Sequence, residues 1–390
     1  RSRKIFFVNH KLFLLILLAV PLYLFNNIFI KILGTISILS IFALLMFNVF
    51  PRMAEIKISK IWLWFLMFFF YSTLMLLRTP TAKGIYSYFL QIGLLFFVTM
   101  LSTLTLNEKV INEVFKWGKL TYILLFIPSF IIALEGGRGA FGRFNFLYSP
   151  VIYKLMLPCT FFFIARSEKK LFKILFFSFI YMRMVERTSA IVLVIIYVIY
   201  LLLRKIKNSR KLYKMLFITT FVGIVGFVYL YVQLQYTNLG YSLNVLFRQY
   251  TGGNFFSGRN YIWQAMFNYI KEKPFIGYGI DNGVLRLAGI TKSSHSTYIH
   301  LLLQGGIGGL FIFFMFMYSI WTRLFNYLDD DIVITSASYL IGILAFINFE
   351  VTLIGNSTVT AIFMWFVLGI GLIQTNNLTT KEISDSEHTQ

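Results

Sequence analysis

Apolar residues form long runs along the whole chain, and short polar or charged stretches separate one run from the next. A helix needs about 20 apolar residues to cross the hydrocarbon core of a bilayer, and the runs are near that length. They must be helical, because lipid offers no partner to unpaired backbone groups. The pattern predicts an all-α polytopic membrane protein with about twelve transmembrane helices, at residues 10–30, 32–50, 60–77, 86–105, 119–134, 150–166, 170–184, 188–204, 213–233, 297–320, 332–350 and 355–374.

Basic residues between the runs predict the side of the membrane on which each loop lies. The stretches PRMAEIKISK, NEKVINEVFKWGK, RSEKKLFK and RKIKNSRKLYK fall on the same side as the N-terminal RSRK, and Lys and Arg accumulate in cytoplasmic loops. Both termini are therefore expected in the cytoplasm, with one transmembrane domain at 1–374 and a disordered cytoplasmic tail at 375–390. The run after RSRK has no small-residue cleavage site, so we expect it to be retained as the first span.

One long loop, residues 235–296, lies between the ninth and tenth predicted spans and on the outer side by the same rule. Long loops in compact proteins are usually functional. The segment SGRNYIWQAMFNYIKEKP predicts an amphipathic helix on the outer membrane surface or over a cavity, with Ser257 as its N-cap and Pro274 at its end. The expected apolar face consists of Tyr261, Ile262, Ala265, Met266, Tyr269 and Ile270.

Composition supports a membrane protein and narrows the chemistry. The 390 residues are 58% hydrophobic, which is more than a water-soluble domain of this size contains. The net charge of +21 is explained by cytoplasmic loops, and the absence of a soluble basic module argues against nucleic-acid binding. Cys159 is the single cysteine and lies in an apolar run, so we expect it to pack in the core.

Five arginines lie on the predicted outer side, against the positive-inside rule: Arg138, Arg143, Arg183, Arg187 and Arg259. They either contact lipid headgroups or pair with Glu135, Glu186 or Glu272, or they converge on an anion. A pyrophosphate suits the second interpretation, because guanidinium groups bind phosphate with two parallel hydrogen bonds. Arg187 and Arg259 are the strongest candidates, since each is expected beside a helix N-terminus.

His295 lies at the polar entrance to the tenth predicted span, in SSHSTYIHLLLQGGIGGL. It either belongs to the cap of that helix, through Ser293, Ser294 or Ser296, or takes a proton from a sugar hydroxyl as a general base. His300 lies about 140° further round the helix. We therefore expect His300 to pack within the span or join a polar network there.

The remaining motifs favour structural roles. GGIGG, from Gly305 to Gly309, predicts close helix packing first and a kink or a ligand contact second. The outer acids lack the spacing of a metal site, so no metal and no other cofactor is expected. The DDD motif, Asp329–Asp331, falls in a short cytoplasmic loop and is interpreted as an acidic helix N-terminus.

HSTYIHLLLQGGIGGL resembles a motif of the bacterial O-antigen polymerases and O-antigen ligases, in which a histidine precedes a tyrosine and leucine run ending in acid, glycine, glycine. Ser296 stands where that family usually has asparagine, and Gln304 where it has the acid. SGRNYIWQAMFNYIKEKPFIGYGIDN is similar to the family's extracytoplasmic segment. ERTSA is similar to the sequence around its arginine after the seventh span, with Glu186 before Arg187. The strong resemblance covers about residues 255–312, and its motif order makes it specific.

The resemblance implies a metal-independent glycosyltransferase without a cofactor, in the bacterial cytoplasmic (inner) membrane and with its active site on the periplasmic face. The donor would be a glycan on undecaprenyl pyrophosphate, and direct displacement would invert the anomeric carbon. The resemblance implies that Arg187 and Arg259 bind the pyrophosphate, and the outer-side arginines Arg138 and Arg143 are expected to contribute to the same site. Arg259 and His295 are the implied catalytic residues, with His295 as a base or as the group that orients the acceptor. Arg183, Tyr298 and Asp281 are expected to support the site.

Three functions are compatible with these features. The main hypothesis is an O-antigen or capsular polysaccharide polymerase, which moves a growing chain onto the sugar end of another lipid-linked repeat unit. An O-antigen ligase would transfer the glycan to lipid A–core instead. The sequence of the histidine segment, SSHSTYIHLLLQGGIGG, favours the polymerase. A flippase for the same lipid is the third hypothesis, but a transporter would show paired halves, and residues 1–200 and 200–390 show no repeat. The expected partners are the lipid-linked oligosaccharide, membrane lipid and a chain-length regulator.

Overall fold

A computed structural model describes residues 59–134, 152–183, 186–251, 254–256, 258–280, 293–354 and 358–388. Within these ranges the chain forms thirteen α-helices, one 3-10 helix and no strand, which confirms the all-α prediction. The helices are α1 Lys60–Arg78, α2 Ala82–Leu101, α3 Glu108–Leu134, α4 Ile152–Cys159, α5 Phe161–Ile164, α6 Lys170–Arg183, α7 Arg187–Ile206, α8 Arg210–Leu234, α9 Asn238–Thr251, α10 Arg259–Glu272, α11 Thr297–Leu324, α12 Asp331–Phe346 and α13 Thr358–His388.

Among the helices of the described ranges, six are long and apolar enough to cross a membrane, namely α1, α2, α7, α8, α11 and α13. Each coincides with a predicted span, so the chain is a multi-pass membrane protein by length and composition. The first two predicted spans, 10–30 and 32–50, lie outside the described residues. The count of twelve therefore stays a prediction.

The predicted spans at 150–166 and 170–184 contain shorter helices than expected. The first consists of the consecutive helices α4 and α5, and Pro158 lies inside α4, where it removes a backbone hydrogen bond. The second, α6, has 14 residues, or roughly 21 Å at the rise of an α-helix. That is less than the hydrocarbon thickness of about 30 Å.

The centre of the bundle is formed by α11, α12 and α13, whose large side chains include the fully buried Trp321 and Trp365. Cys159 is also buried, as predicted. Large apolar side chains such as Phe70, Phe172 and Val222 point outward from the outer helices. This distribution is typical of a bundle whose outer surface faces lipid.

The long helix α11 is broken at Gly306, where φ is 59° and ψ is −159°, a conformation that is essentially restricted to glycine. Residues 274–280 insert at the break, and the Ile307 amide donates to the Pro274 carbonyl at 2.7 Å. A Cβ on Gly306 would lie 2.3 Å from the carbonyl carbon of Phe275. The kink, which was the second interpretation of GGIGG, is therefore confirmed.

Close packing, the first interpretation of GGIGG, also occurs at this break. Tyr71 of α1 lies against Gly305 and its hydroxyl donates to the Gly305 carbonyl. Gln304, which stands in place of the family's acid, is buried. Its amide group donates to the Ile280 carbonyl and accepts from Gln91 of α2, both at 3.1 Å. A neutral amide therefore joins α2, α11 and the inserted segment.

The described part of the loop 235–296 forms two helices, α9 and α10, of which the sequence predicted only α10. α10 ends at Glu272, shortly before Pro274, as predicted. Its N-cap is Gly258 with φ 78°, so the prediction of Ser257 as the cap is wrong. The buried face centres on Trp263, while Tyr261 is 72% exposed. The predicted face was partly wrong because α10 packs on α8 and α11 through the side that carries Trp263.

Acidic residues at the start of α12, at the end of the bundle opposite the loop 235–296, have structural roles. Asp330 caps α12, and its carboxylate accepts hydrogen bonds from the Ile332 and Val333 amides at 2.8 and 3.1 Å. Asp331 pairs with Lys170 at 3.1 Å. The interpretation of DDD as an acidic helix N-terminus is confirmed.

The C-terminal residues continue α13 to His388, so the expectation of a disordered tail is wrong for residues 375–388. Side chains at the start of this segment fix it to the bundle. Asn376 donates to the Leu104 carbonyl at 2.8 Å, and Asn377 donates to the Leu106 carbonyl at 2.7 Å. These bonds allow the helix to extend beyond its apolar run.

Candidate active site

Arg259 is the first residue of α10 and lies between an acid and an aromatic ring. Its Nη2 is 3.8 Å from Oε1 of Glu350, which follows α12 in the chain. Its guanidinium carbon lies 5.6 Å from the ring centroid of Phe349. The left-handed backbone of Gly258 turns the chain into the helix at this point. The acid-pairing interpretation thus applies to Arg259, but its partner is Glu350, which the sequence did not suggest.

One turn further along α10, Trp263 connects this helix to the segment that carries His295. The Trp263 indole is fully buried and donates to the Ser294 carbonyl at 2.6 Å. Ser296 is the N-cap of α11, because its hydroxyl accepts from the Ile299 amide. The capping role considered for the segment around His295 therefore belongs to Ser296.

The His295 backbone has φ 48°, the one positive φ at a non-glycine position among the described residues. Its amide donates to the Ser293 hydroxyl at 3.3 Å, and its side chain is half-buried. Such backbone strain persists only where the surrounding structure imposes it, and it is concentrated at functional sites. His300 lies one turn inside α11 and is also half-buried.

A second link fixes this segment to the end of α12. The Thr297 hydroxyl donates to the Glu350 carbonyl at 2.9 Å, and the Thr297 amide donates to the Ile347 carbonyl at 2.9 Å. Arg259 and His295 are therefore held in one cluster by two routes, one through Trp263 and one through Glu350.

Arg187 is the first residue of α7, and its guanidinium carbon lies 5.6 Å from the ring centroid of Phe247 in α9. Phe247 begins a chain of ring contacts that leads to Arg259. This aromatic chain consists of Phe247, Phe255, Tyr231, Trp263 and Phe349, with successive centroid distances of 5.7, 5.8, 5.3 and 6.5 Å. Guanidinium groups are attracted to aromatic faces, and an arginine lies against each end of the chain.

The sequence did not identify Lys154, which belongs to the same cluster. Its Nζ lies 2.7 Å from Oε2 of Glu350, so one carboxylate contacts both Lys154 and Arg259. The three side chains are 28%, 16% and 24% exposed for Lys154, Glu350 and Arg259, so the charges are only partly screened by solvent. A charged residue inside an apolar run was the available signal for Lys154.

The C-terminal end of α10 is anchored by Tyr278 of the inserted segment. Its hydroxyl donates to the Glu272 carboxylate at 2.6 Å and to the Tyr269 carbonyl at 3.1 Å. Desolvation and the Glu272 carboxylate raise the pKa of Tyr278 to about 12. The phenol is therefore neutral at physiological pH and holds the helix that presents Arg259.

The other predicted site residues are not brought into this cluster by the described contacts. Arg138, Arg143 and Asp281 lie outside the described residues, as does the side chain of Arg183 at the end of α6. Tyr298 is buried in the core, where its hydroxyl donates to the Leu344 carbonyl at 2.8 Å. This bond joins α11 to α12, three residues after His295 in the chain.

The cluster combines the cations Lys154 and Arg259 with an imidazole, and the aromatic chain connects it to Arg187. Arg187 and Arg259 each begin a helix, where the helix dipole also favours an anion. A half-buried imidazole nearby is able to orient or deprotonate a hydroxyl group. No three His, Cys, Asp or Glu side chains of the described ranges meet in a group able to hold a metal, and a metal-independent reaction stays a prediction.

Comparison with known proteins places this cluster in a family context. No curated protein matches the chain. A family model described as O-antigen ligase matches residues 171–314, a range that includes Arg187, Arg259, His295 and the helices α9 and α10. The resemblance found in the sequence is thereby confirmed, and the central segment of this chain is similar to the O-antigen ligase family.

Proposed function

We propose that this protein is an O-antigen or capsular polysaccharide polymerase of the bacterial inner membrane, with its active site on the periplasmic face. The family match supports a polysaccharide-related membrane enzyme. The observation that carries the proposal is the connection of Arg259 to the strained His295 segment through the Trp263–Ser294 hydrogen bond. A site that joins a cation to an imidazole suits transfer from an anionic leaving group to a hydroxyl.

In the proposed reaction, the donor is a growing glycan on undecaprenyl pyrophosphate. The acceptor hydroxyl oxygen bonds to the anomeric carbon while the bond from that carbon to the pyrophosphate oxygen breaks, with inversion. Arg187 and Arg259 bind the pyrophosphate and stabilise the charge that develops on it. His295 takes the acceptor proton or orients the hydroxyl. A chain-length regulator as partner belongs to the same proposal.

O-antigen ligase is the second candidate, because the matching family model carries that description. The same cluster would serve a ligase, with lipid A–core as the acceptor. A deletion strain separates the two functions. Loss of a polymerase leaves a single repeat unit on the surface, whereas loss of a ligase leaves no surface glycan and accumulates lipid-linked polymer.

The direct test uses purified protein, a lipid-linked repeat unit and no added metal. We expect elongation by the wild type and a loss of about 100-fold or more in Arg259→Ala and His295→Ala, the scale of general acid–base and charge stabilisation. Arg248→Ala is the matched control, because Arg248 is exposed on α9 of the same loop. His295→Asn removes the imidazole but keeps a residue that tolerates a positive φ. It therefore separates the loss of the imidazole from a change in backbone conformation.

Three results would count against the proposal. Wild-type glycan length in Arg259→Ala or His295→Ala would remove that residue from the site. With lipid A–core added as a second acceptor, transfer to it without elongation would favour the ligase. Movement of the lipid across vesicles without any new glycosidic bond would favour a flippase.

A further inference from the structure

Lys154 and Arg259 reach the same carboxylate from distant parts of the chain. Lys154 comes from the first turns of α4, Arg259 begins α10, and Glu350 follows α12. The two cations contact different oxygens of Glu350, Oε2 at 2.7 Å and Oε1 at 3.8 Å. One negative charge therefore lies between two positive charges, and the group keeps a net positive charge.

The position of Glu350 also matters. Its backbone carbonyl is fixed by the Thr297 hydroxyl, two residues after His295. Its carboxylate thus lies at the edge of the segment on which the acceptor hydroxyl is expected. A carboxylate and a phosphate both present oxygens that accept charge-assisted hydrogen bonds from Lys and Arg. A phosphate that reaches this point would compete with Glu350 for both cations.

From this geometry we infer that Lys154 is a phosphate-binding residue of the donor site, and that Glu350 is the counterion that donor phosphate displaces. The inference rests on the proposed function, because the ligand is the pyrophosphate of the lipid-linked donor. Glu350 acts as a positioning residue. Before the donor binds, Glu350 keeps Lys154 and Arg259 directed at one point. After the two cations have moved to the donor phosphate, the Glu350 carboxylate and the phosphate repel each other.

The two roles of Lys154 predict different binding data. If Lys154 binds phosphate, Lys154→Met weakens binding whether or not Glu350 is charged. If Lys154 only neutralises Glu350, removing that charge makes the lysine irrelevant. The decisive comparison is therefore between Glu350→Gln and the double variant Glu350→Gln with Lys154→Met. The double variant removes the carboxylate and the ammonium together, so neither is left without the other.

The experiment measures the dissociation constants of undecaprenyl pyrophosphate and of undecaprenol for the full-length protein in detergent micelles. We expect Glu350→Gln to bind the pyrophosphate more tightly than the wild type. The double variant should bind it about tenfold more weakly than Glu350→Gln, the scale of a hydrogen bond to a charged group. Lys154→Arg should retain binding. Lys207→Met is the matched control, because Lys207 also pairs with a carboxylate, Asp329, at the opposite end of the bundle.

Equal affinities of Glu350→Gln and the double variant would overturn the inference while leaving the proposed function intact. Weaker binding by Glu350→Gln than by the wild type would also overturn it, because the carboxylate would then not compete with phosphate. Equal affinity of the wild type for the pyrophosphate and for the neutral alcohol would overturn the proposed donor site itself.

Discussion

Replacing Gly306 by alanine tests whether the inserted segment 274–280 holds α11 together. Alanine at φ 59° and ψ −159° costs about 1–3 kcal/mol in backbone strain. The new Cβ would also lie 2.3 Å from the backbone carbonyl carbon of Phe275, so the inserted segment 274–280 must move. That movement breaks the 2.7 Å bond from the Ile307 amide, and because lipid offers no replacement partner, the unpaired amide costs about 1–3 kcal/mol.

Together these terms predict a loss of about 3 kcal/mol or more in the free energy of unfolding of Gly306→Ala. The apparent melting temperature of the purified protein in detergent should fall by several degrees. Elongation should fall as well, because the inserted segment carries Tyr278, which anchors α10. Both quantities are measured on the same preparation.

Gly93→Ala is the matched control. Gly93 lies in α2 and a Cβ there would meet nothing within 4 Å. Alanine inside a helix is more stable than glycine by about 0.5–1 kcal/mol, so this variant should melt at the wild-type temperature or slightly above it. If Gly306→Ala had the same melting temperature as Gly93→Ala, the broken helix and the inserted segment would not be coupled as described.

Three further predictions concern the cluster and its supports. Trp263→Phe leaves the Ser294 carbonyl without its indole donor, which costs about 1–3 kcal/mol. Elongation should therefore slow about tenfold at saturating donor, and an unchanged rate would mean that Trp263 does not hold the His295 segment. Arg187→Lys should weaken donor binding, since lysine lacks the planar fork of arginine, and an unchanged dissociation constant for undecaprenyl pyrophosphate would remove Arg187 from the site. Tyr278 stabilises the fold while it is protonated, fully below an unfolded pKa of about 10 and no longer once pH passes its folded pKa of about 12. The difference in melting temperature between the wild type and Tyr278→Phe should therefore shrink from pH 10 to pH 12, and a constant difference would show that this phenol is not the titrating group.

The helices that the sequence predicted most accurately are those whose long apolar runs are bounded by charged or polar residues. The predicted span 188–204 corresponds to α7 and 213–233 to α8, with differences of a few residues at each end. The start of the span at 297 coincides with the start of α11, because Ser296 provides a side-chain cap. These are local signals, which depend only on residues near each other in the chain.

Features that depend on distant residues escaped prediction. Lys154 and Glu350 are separated by 196 positions, and no periodicity connects them. The helix α9 was missed because Leu239, Tyr241, Leu243 and Val245 alternate with polar residues and glycine, a spacing of two that does not match a helical repeat. Gly306 was recognised as part of a glycine motif, but the segment that fills its break comes from the preceding loop. Long-range pairing of this kind is fixed by tertiary packing rather than by local propensity.

The break in α11 has a consequence for the order in which the chain is built. In lipid, the amides of Ile307 and Gly308 would have no partner, at a cost of several kcal/mol for each unsatisfied group. Their acceptors are the carbonyls of Pro274 and Phe275, which are synthesised first. The kinked form of α11 is therefore stable in lipid only once residues 274–280, which are synthesised earlier, have folded against it, so the folding of the loop precedes the formation of the kink.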